Sequence, residues 1–184
     1  MKTTLTRGLL GATLLLLPLT SRAEDTEGGR FGVAVNTSFN GEVTPLRLVP
    51  SVTWSTGQSQ LEAGLGLHPF IRKEQRVFSG ELNAKYFPNG RDRTLSPYLI
   101  GRFSYVNNDL ETYYPTTYHY LFLNAGYGLV LSSNDRSYVG TNVTGGLFTY
   151  ARRSENPYPG FDRNGLFQEV GLNLAFQFNI GFRF

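Results

Sequence analysis

From residue 31 onward, apolar and polar positions alternate with a period of two in eight successive stretches. In the first, Phe31, Val33, Val35, Thr37 and Phe39 alternate with Gly32, Ala34, Asn36 and Ser38. In the second, Leu46, Leu48, Pro50, Val52 and Trp54 face away from Arg47, Ser51 and Thr53. The third sets Leu61, Ala63, Leu65 and Leu67 against Glu62, Gly64, Gly66 and His68, and the fourth sets Phe78, Leu82, Ala84 and Tyr86 against Ser79, Glu81, Asn83 and Lys85. The fifth, sixth and seventh run over about 95–106, 121–132 and 139–147. The eighth is unbroken: Leu172, Leu174, Phe176, Phe178, Ile180, Phe182 and Phe184 against Asn173, Ala175, Gln177, Asn179, Gly181 and Arg183. Period two is the spacing of a strand, whose side chains point to opposite faces in turn. No stretch sustains an apolar 3.6-residue period, so the pattern predicts an all-β chain of eight strands. Each is roughly 9–12 residues long, the length a tilted strand needs to cross a bilayer.

The predicted connections alternate in character. Those at 40–45, 69–76, 107–117 and 151–165 include two long ones, whereas those at 55–60, 88–94 and 133–136 are short. Short turns at one end and longer loops at the other are expected of an eight-stranded antiparallel up-and-down transmembrane barrel. In that order Phe31, Trp54, Tyr86, Tyr98, Tyr138 and Phe184 gather at the turn end, and Phe39, Phe78, Tyr105, Tyr118, Phe148 and Phe167 at the loop end. Two aromatic girdles around an aliphatic band suit a lipid-facing wall. A soluble lipocalin-like barrel has the same alternation with its faces reversed, and periodicity alone does not separate the two.

The first 23 residues differ from the rest. Lys2 and Arg7 precede an apolar run from Gly8 to Leu19, and Ser21 and Ala23 stand at −3 and −1 of a cut before Glu24. This is the layout of a secretory signal peptide, so residues 1–23 are expected to be removed and 24–184 to form the barrel domain. Lys2, Arg7 and Arg22 carry the whole formal charge of +3; beyond them 14 Lys/Arg face 14 Asp/Glu. A nucleic-acid partner therefore has no electrostatic support. The chain has no Cys, which excludes thiolate metal sites, disulfides and a lipoprotein anchor. No later stretch reaches 18 consecutive apolar residues, so any membrane crossing rests on strands.

The final Phe176-x-Phe178-x-Ile180-x-Phe182-x-Phe184 resembles the C-terminal assembly signal of Gram-negative outer-membrane barrels. Ser96-Pro97-Tyr98-Leu99-Ile100-Gly101, after Ala84-Lys85-Tyr86-Phe87, is similar to a strand-turn-strand pattern of the small barrels that include the OmpA transmembrane region and OmpX. The resemblance implies a bacterial outer-membrane location, insertion by the barrel assembly machinery, and contact with outer-membrane lipid and lipopolysaccharide. It does not select one function, because one fold hosts many.

On this scaffold the small residues Gly64, Gly66, Gly126, Gly128, Gly171 and Gly181 point inward and leave room for larger neighbours. Glu62, Glu81, Lys85, Arg102, Glu169 and Arg183 share that face, three acidic and three basic, and form a candidate lumen charge network. At least one ion pair is expected, from Glu62 or Glu81 to Lys85 or Arg102, since unpaired charge in a confined core is costly. The leading reading is a monomeric, non-enzymatic barrel with a structural or surface-recognition role and no cofactor or bound metal. Asp109 with Glu111, or Glu155 with Asp162, lacks any calcium-loop pattern. Tyr113, Tyr114, Arg152, Arg153, Tyr158 and Phe161 are candidate loop recognition residues.

Two alternatives stay open. One is a lipid A-modifying deacylase or acyltransferase, for which His68, His119, Ser104 and Asp109 are the candidates. The resembling deacylases carry His-x-Ser, whereas this chain has His68-Pro69-Phe70 and His119-Tyr120-Leu121. The other is a narrow channel, which requires a continuous polar path.

Overall fold

The computed structural model describes residues 29–40, 44–69, 74–91, 93–133 and 136–184. The expected leader, residues 1–23, lies outside the described residues. Eight strands follow one another: β1 (Arg30–Asn40), β2 (Thr44–Thr56), β3 (Ser59–Leu67), β4 (Gln75–Tyr86), β5 (Leu95–Leu110), β6 (Thr116–Ser132), β7 (Ser137–Arg153) and β8 (Val170–Arg183). Each pairs antiparallel with the next, and β8 closes on β1 from Gly32↔Arg183 to Asn40↔Ala175. Full closure leaves no unpaired sheet edge along the common height of the wall.

The tightest connection joins Thr56 to its ladder partner Ser59 through Gly57 and Gln58. Gly57 sits at φ 48°, a left-handed conformation that a residue without Cβ adopts at little cost. The short turns, the start of β1 and the end of β8 share one end of the barrel, where the Phe184 N–H donates to the Phe31 carbonyl at 2.9 Å.

Which face looks outward is settled by burial. Val33, Val35, Val52, Leu65, Leu82, Leu123, Leu172 and Leu174 are exposed, while Asn36, Thr53, Gln60, Asn83, Asn142 and Gln177 are buried within the bore. A soluble barrel has the reverse arrangement, because water drives apolar side chains inward.

Three strands run further than the alternation predicted. β5, β6 and β7 hold 16, 17 and 17 residues, and the ladder continues through Asn107↔His119, Asp109↔Thr117 and Thr117↔Arg153. The expected loop at 107–117 thereby shrinks to 111–115. The loop after β7 spans 154–169 and is tied back by the Arg152↔Asn164 bridge. Four residues of the expected girdles turn inward: Tyr98 and Tyr138 are fully buried, and Tyr118 and Phe148 pack against an interior cluster. Each lies in phase with an inward neighbour, Tyr98 with Arg102 and Tyr138 with Asn142, so the strand period overrides the aromatic's affinity for the interface.

Candidate functional site

Side chains fill the bore in three layers. At the turn end Phe87, Tyr98, Ile100, Val130 and Tyr138 pack with Ala34. The rings are seated on glycine: Tyr98 pairs with Gly128 and Tyr138 with Gly181 across the ladder, and a Cβ on either glycine would run into the ring. The inward glycines thus make room for aromatic rings as well as for charges. Arg183 lies 4.7 Å from the centre of the Tyr138 ring and Lys85 lies 5.2 Å from that of Tyr98, both within cation–π range.

The middle layer is ionic. Lys85 Nζ and Glu62 Oε1 are 2.6 Å apart, with both side chains fully buried. Gln60 Nε2 donates to the same Glu62 oxygen at 2.7 Å, and Asn83 Nδ2 donates to Glu62 Oε2 at 3.3 Å. A second pair joins Arg47 Nη2 to Glu81 Oε1 at 3.3 Å. Arg47 Nη2 also donates to Ser38 Oγ and Asn40 Oδ1, each at 3.1 Å, and Gln177 Nε2 donates to Glu81 Oε2 at 3.4 Å. Arg102 stands between the pairs. It donates to Asn83 Oδ1 at 3.1 Å, Asn142 Oδ1 at 2.7 Å and Gln177 Oε1 at 2.6 Å. Neutral amides therefore relay Arg102 to both carboxylates, and the network joins residues of β1–β5, β7 and β8 across the bore.

At the loop end Val77, Val106, Tyr120 and Phe122 form a second apolar cluster, with Tyr118, Phe148 and Tyr150 packed on it. Tyr118, Tyr120 and Phe122 stack along β6, with centroids 5.8 and 6.0 Å apart. This layer caps the ionic one on the side of the loops.

The candidate charges fall at different levels of the barrel. Glu62, Glu81, Lys85 and Arg102 meet in the middle layer, and Arg183 lies at the turn end. Glu169 is corrected: it is exposed at the outer mouth, where Tyr150 Oη donates to it at 2.6 Å. It immediately precedes β8, so the wall no longer encloses it. Arg47, absent from the expected network, is wholly buried and pairs with Glu81. Its signal was its phase, opposite Leu46, Leu48 and Pro50. The expected alternative of Arg102 pairing with a carboxylate is not what forms.

The residues considered for catalysis do not assemble. Ser104 is buried on the inner face, whereas His119 points outward, where its Nδ1 lies 2.7 Å from Tyr105 Oη. The wall separates them. Asp109 accepts from Asn107 Nδ2 at 2.8 Å, and His68 Nδ1 lies 2.9 Å from the Leu46 carbonyl. Among the described residues no three His, Asp or Glu side chains gather at metal-ligand spacing, and Glu111 instead meets Arg76 at 3.0 Å. On β8 the expected assembly-signal residues Phe176, Phe178, Ile180 and Phe182 are exposed on the outward face, with Phe184 just beyond.

The loop end also brings together side chains far apart in sequence. Tyr113 and Tyr114 meet edge to face at 4.9 Å, Tyr114 meets Tyr158 at 5.8 Å, and Tyr158 meets Phe161 at 5.4 Å. Arg152 lies 4.9 Å from the centre of the Phe161 ring, and Ser154 Oγ donates to the Pro115 carbonyl at 2.5 Å. Two loops thereby form one aromatic crown, with Tyr113 85% exposed.

A closed eight-stranded antiparallel barrel, apolar outside and polar within, is the fold of the small outer-membrane β-barrels. The structure is similar to the N-terminal β-barrel domain of Pseudomonas aeruginosa OprF, with a TM-score of 0.61 and 14% identity over 85% of this chain and 100% of that one. It is similar also to a major outer membrane protein from Thermus thermophilus, with a TM-score of 0.50 and 12% identity over 86% of this chain and 100% of that one. The Neisserial surface protein A aligns with a TM-score of 0.48 and 11% identity over 85% of this chain and 98% of that one. No protein-family model matches the sequence, and no curated protein matches it.

Proposed function

We propose that this protein is a monomeric, non-enzymatic barrel of the bacterial outer membrane, delivered by the leader 1–23 and inserted by the barrel assembly machinery. Its wall and filled bore serve the envelope structurally, and its aromatic crown serves surface recognition. The observation that carries this reading is the inverted barrel: an exposed aliphatic wall around a buried polar bore. In water such a wall would aggregate, whereas in lipid it is solvated, and closure pairs the backbone of each strand with both neighbours along the common height of the wall. Arg152, Arg153 and Arg163, near the loop end, supply cationic groups for the phosphates of lipopolysaccharide. A channel reading meets three layers of buried side chains across the bore.

The chain's one Trp tests this directly, because Trp54 points outward and is 41% exposed. Folded into vesicles of brominated phospholipid, the protein is expected to lose most of its Trp emission. Unquenched emission from the folded form would reverse the orientation. For recognition, chymotrypsin added to intact cells is expected to cut after Tyr113 or Phe161, and complete protection would place the crown on the wrong side of the membrane.

A further inference from the structure

The middle layer carries more positive charge than its carboxylates neutralise. Lys85 is matched by Glu62 and Arg47 by Glu81, while Arg102, only 2% exposed, has no carboxylate at salt-bridge distance among the described residues. Its acceptors are three neutral amide oxygens. A guanidinium stays protonated inside proteins and offers five N–H donors. Here Arg102 Nη1, and both Nε and Nη1 of Arg47, have no hydrogen-bond partner among the described residues. Ser79 Oγ and Ser104 Oγ, on the two strands that carry Glu81 and Arg102, are buried without one as well. The two guanidinium groups are close in the network, linked through Glu81 and Gln177. Buried donors left over in this way point to an occupant that accepts hydrogen bonds.

We propose that the middle of the bore binds one small monovalent anion of the halide class between Arg47 and Arg102, with the hydroxyls of Ser79 and Ser104 as further donors. Water offers lone pairs but no charge, and an uncompensated charge in a confined interior is what the pairs around it avoid. The excess is a single positive charge, which a monovalent ion cancels and a sulfate or phosphate would overshoot. The bore of an eight-stranded barrel is just wide enough for its own side chains, which also selects a small ion.

The test uses the full mature chain refolded in sodium bromide, so that loading does not depend on exchange through the aromatic layers at either end. Crystals are expected to show one interior anomalous bromide peak in contact with both Arg47 and Arg102. The urea midpoint is expected to be higher in bromide than in gluconate at equal ionic strength, and Arg102→Gln should abolish both the peak and the difference. An interior holding only water, or bromide on the surface alone, overturns the proposal. If Arg102→Gln does not fold, the anomalous map of the unsubstituted protein still decides.

Discussion

The ring of Tyr138 covers Gly181, its partner across the β7–β8 ladder, and the same ring accepts a hydrogen bond from Gln60 at its hydroxyl and the Arg183 guanidinium at its face. One glycine thus sets the position of a side chain that closes the turn end of the bore. Gly181→Val would drive a Cβ and its methyls into the ring, and overpacking of this kind costs about 1–3 kcal/mol. The expected result is a lower urea midpoint for the folded barrel. Gly101→Ala is the control: its Cβ would meet open space on the outward face, and the midpoint should not fall.

Lys85 and Glu62 form a pair with both side chains fully buried. Removing one partner strands the other, at a cost of about 3–5 kcal/mol, less where water enters the bore. Lys85→Met and Glu62→Gln should each destabilise the barrel, and the double variant should recover part of the loss. A double-mutant cycle on unfolding free energies measures that coupling, and strictly additive losses would show that the contact contributes nothing specific.

Phe184 is 73% exposed beyond the last strand, so its side chain contributes little to the packing of the wall. Phe184→Ala is expected to reduce the outer-membrane yield of the heat-modifiable form several-fold in cells. Refolding of the purified variant in detergent should be close to unchanged. Equal loss in both settings would assign the residue to stability instead of assembly.

Ser104 and His119 lie on opposite faces of the wall, and the hydrogen-bond reach that nucleophilic catalysis requires is absent between them. Mass spectra of lipid A from cells with and without the protein are therefore expected to coincide. Any acyl change abolished by Ser104→Ala or His119→Gln would restore the enzymatic alternative.

Alternation by itself determined the strands and their two faces, and the lengths of the connections predicted their up-and-down order. It put Glu62, Glu81, Lys85, Arg102 and Arg183 on one face, because a strand's period is two residues whatever surrounds it. The same parity places Tyr98 and Tyr138 with the inward set, against the usual preference of aromatics for membrane interfaces. It did not reveal the upper parts of β5–β7. There Asn107, Asp109 and Thr117 stand on the outward face where it changes from aliphatic to polar, and without an apolar stripe the period leaves no trace in composition. Which face looks outward, and which charges meet, were decided by closure. Closure sets the stagger between neighbouring strands, and the stagger brings Arg47 to Glu81, holds Arg102 among amides and leaves Glu169 at the open mouth. The Arg102–Gln177 contact joins β5 to β8 across the bore, and β8 takes its place only by pairing with β1, a contact that spans nearly the whole described chain and that no local pattern encodes.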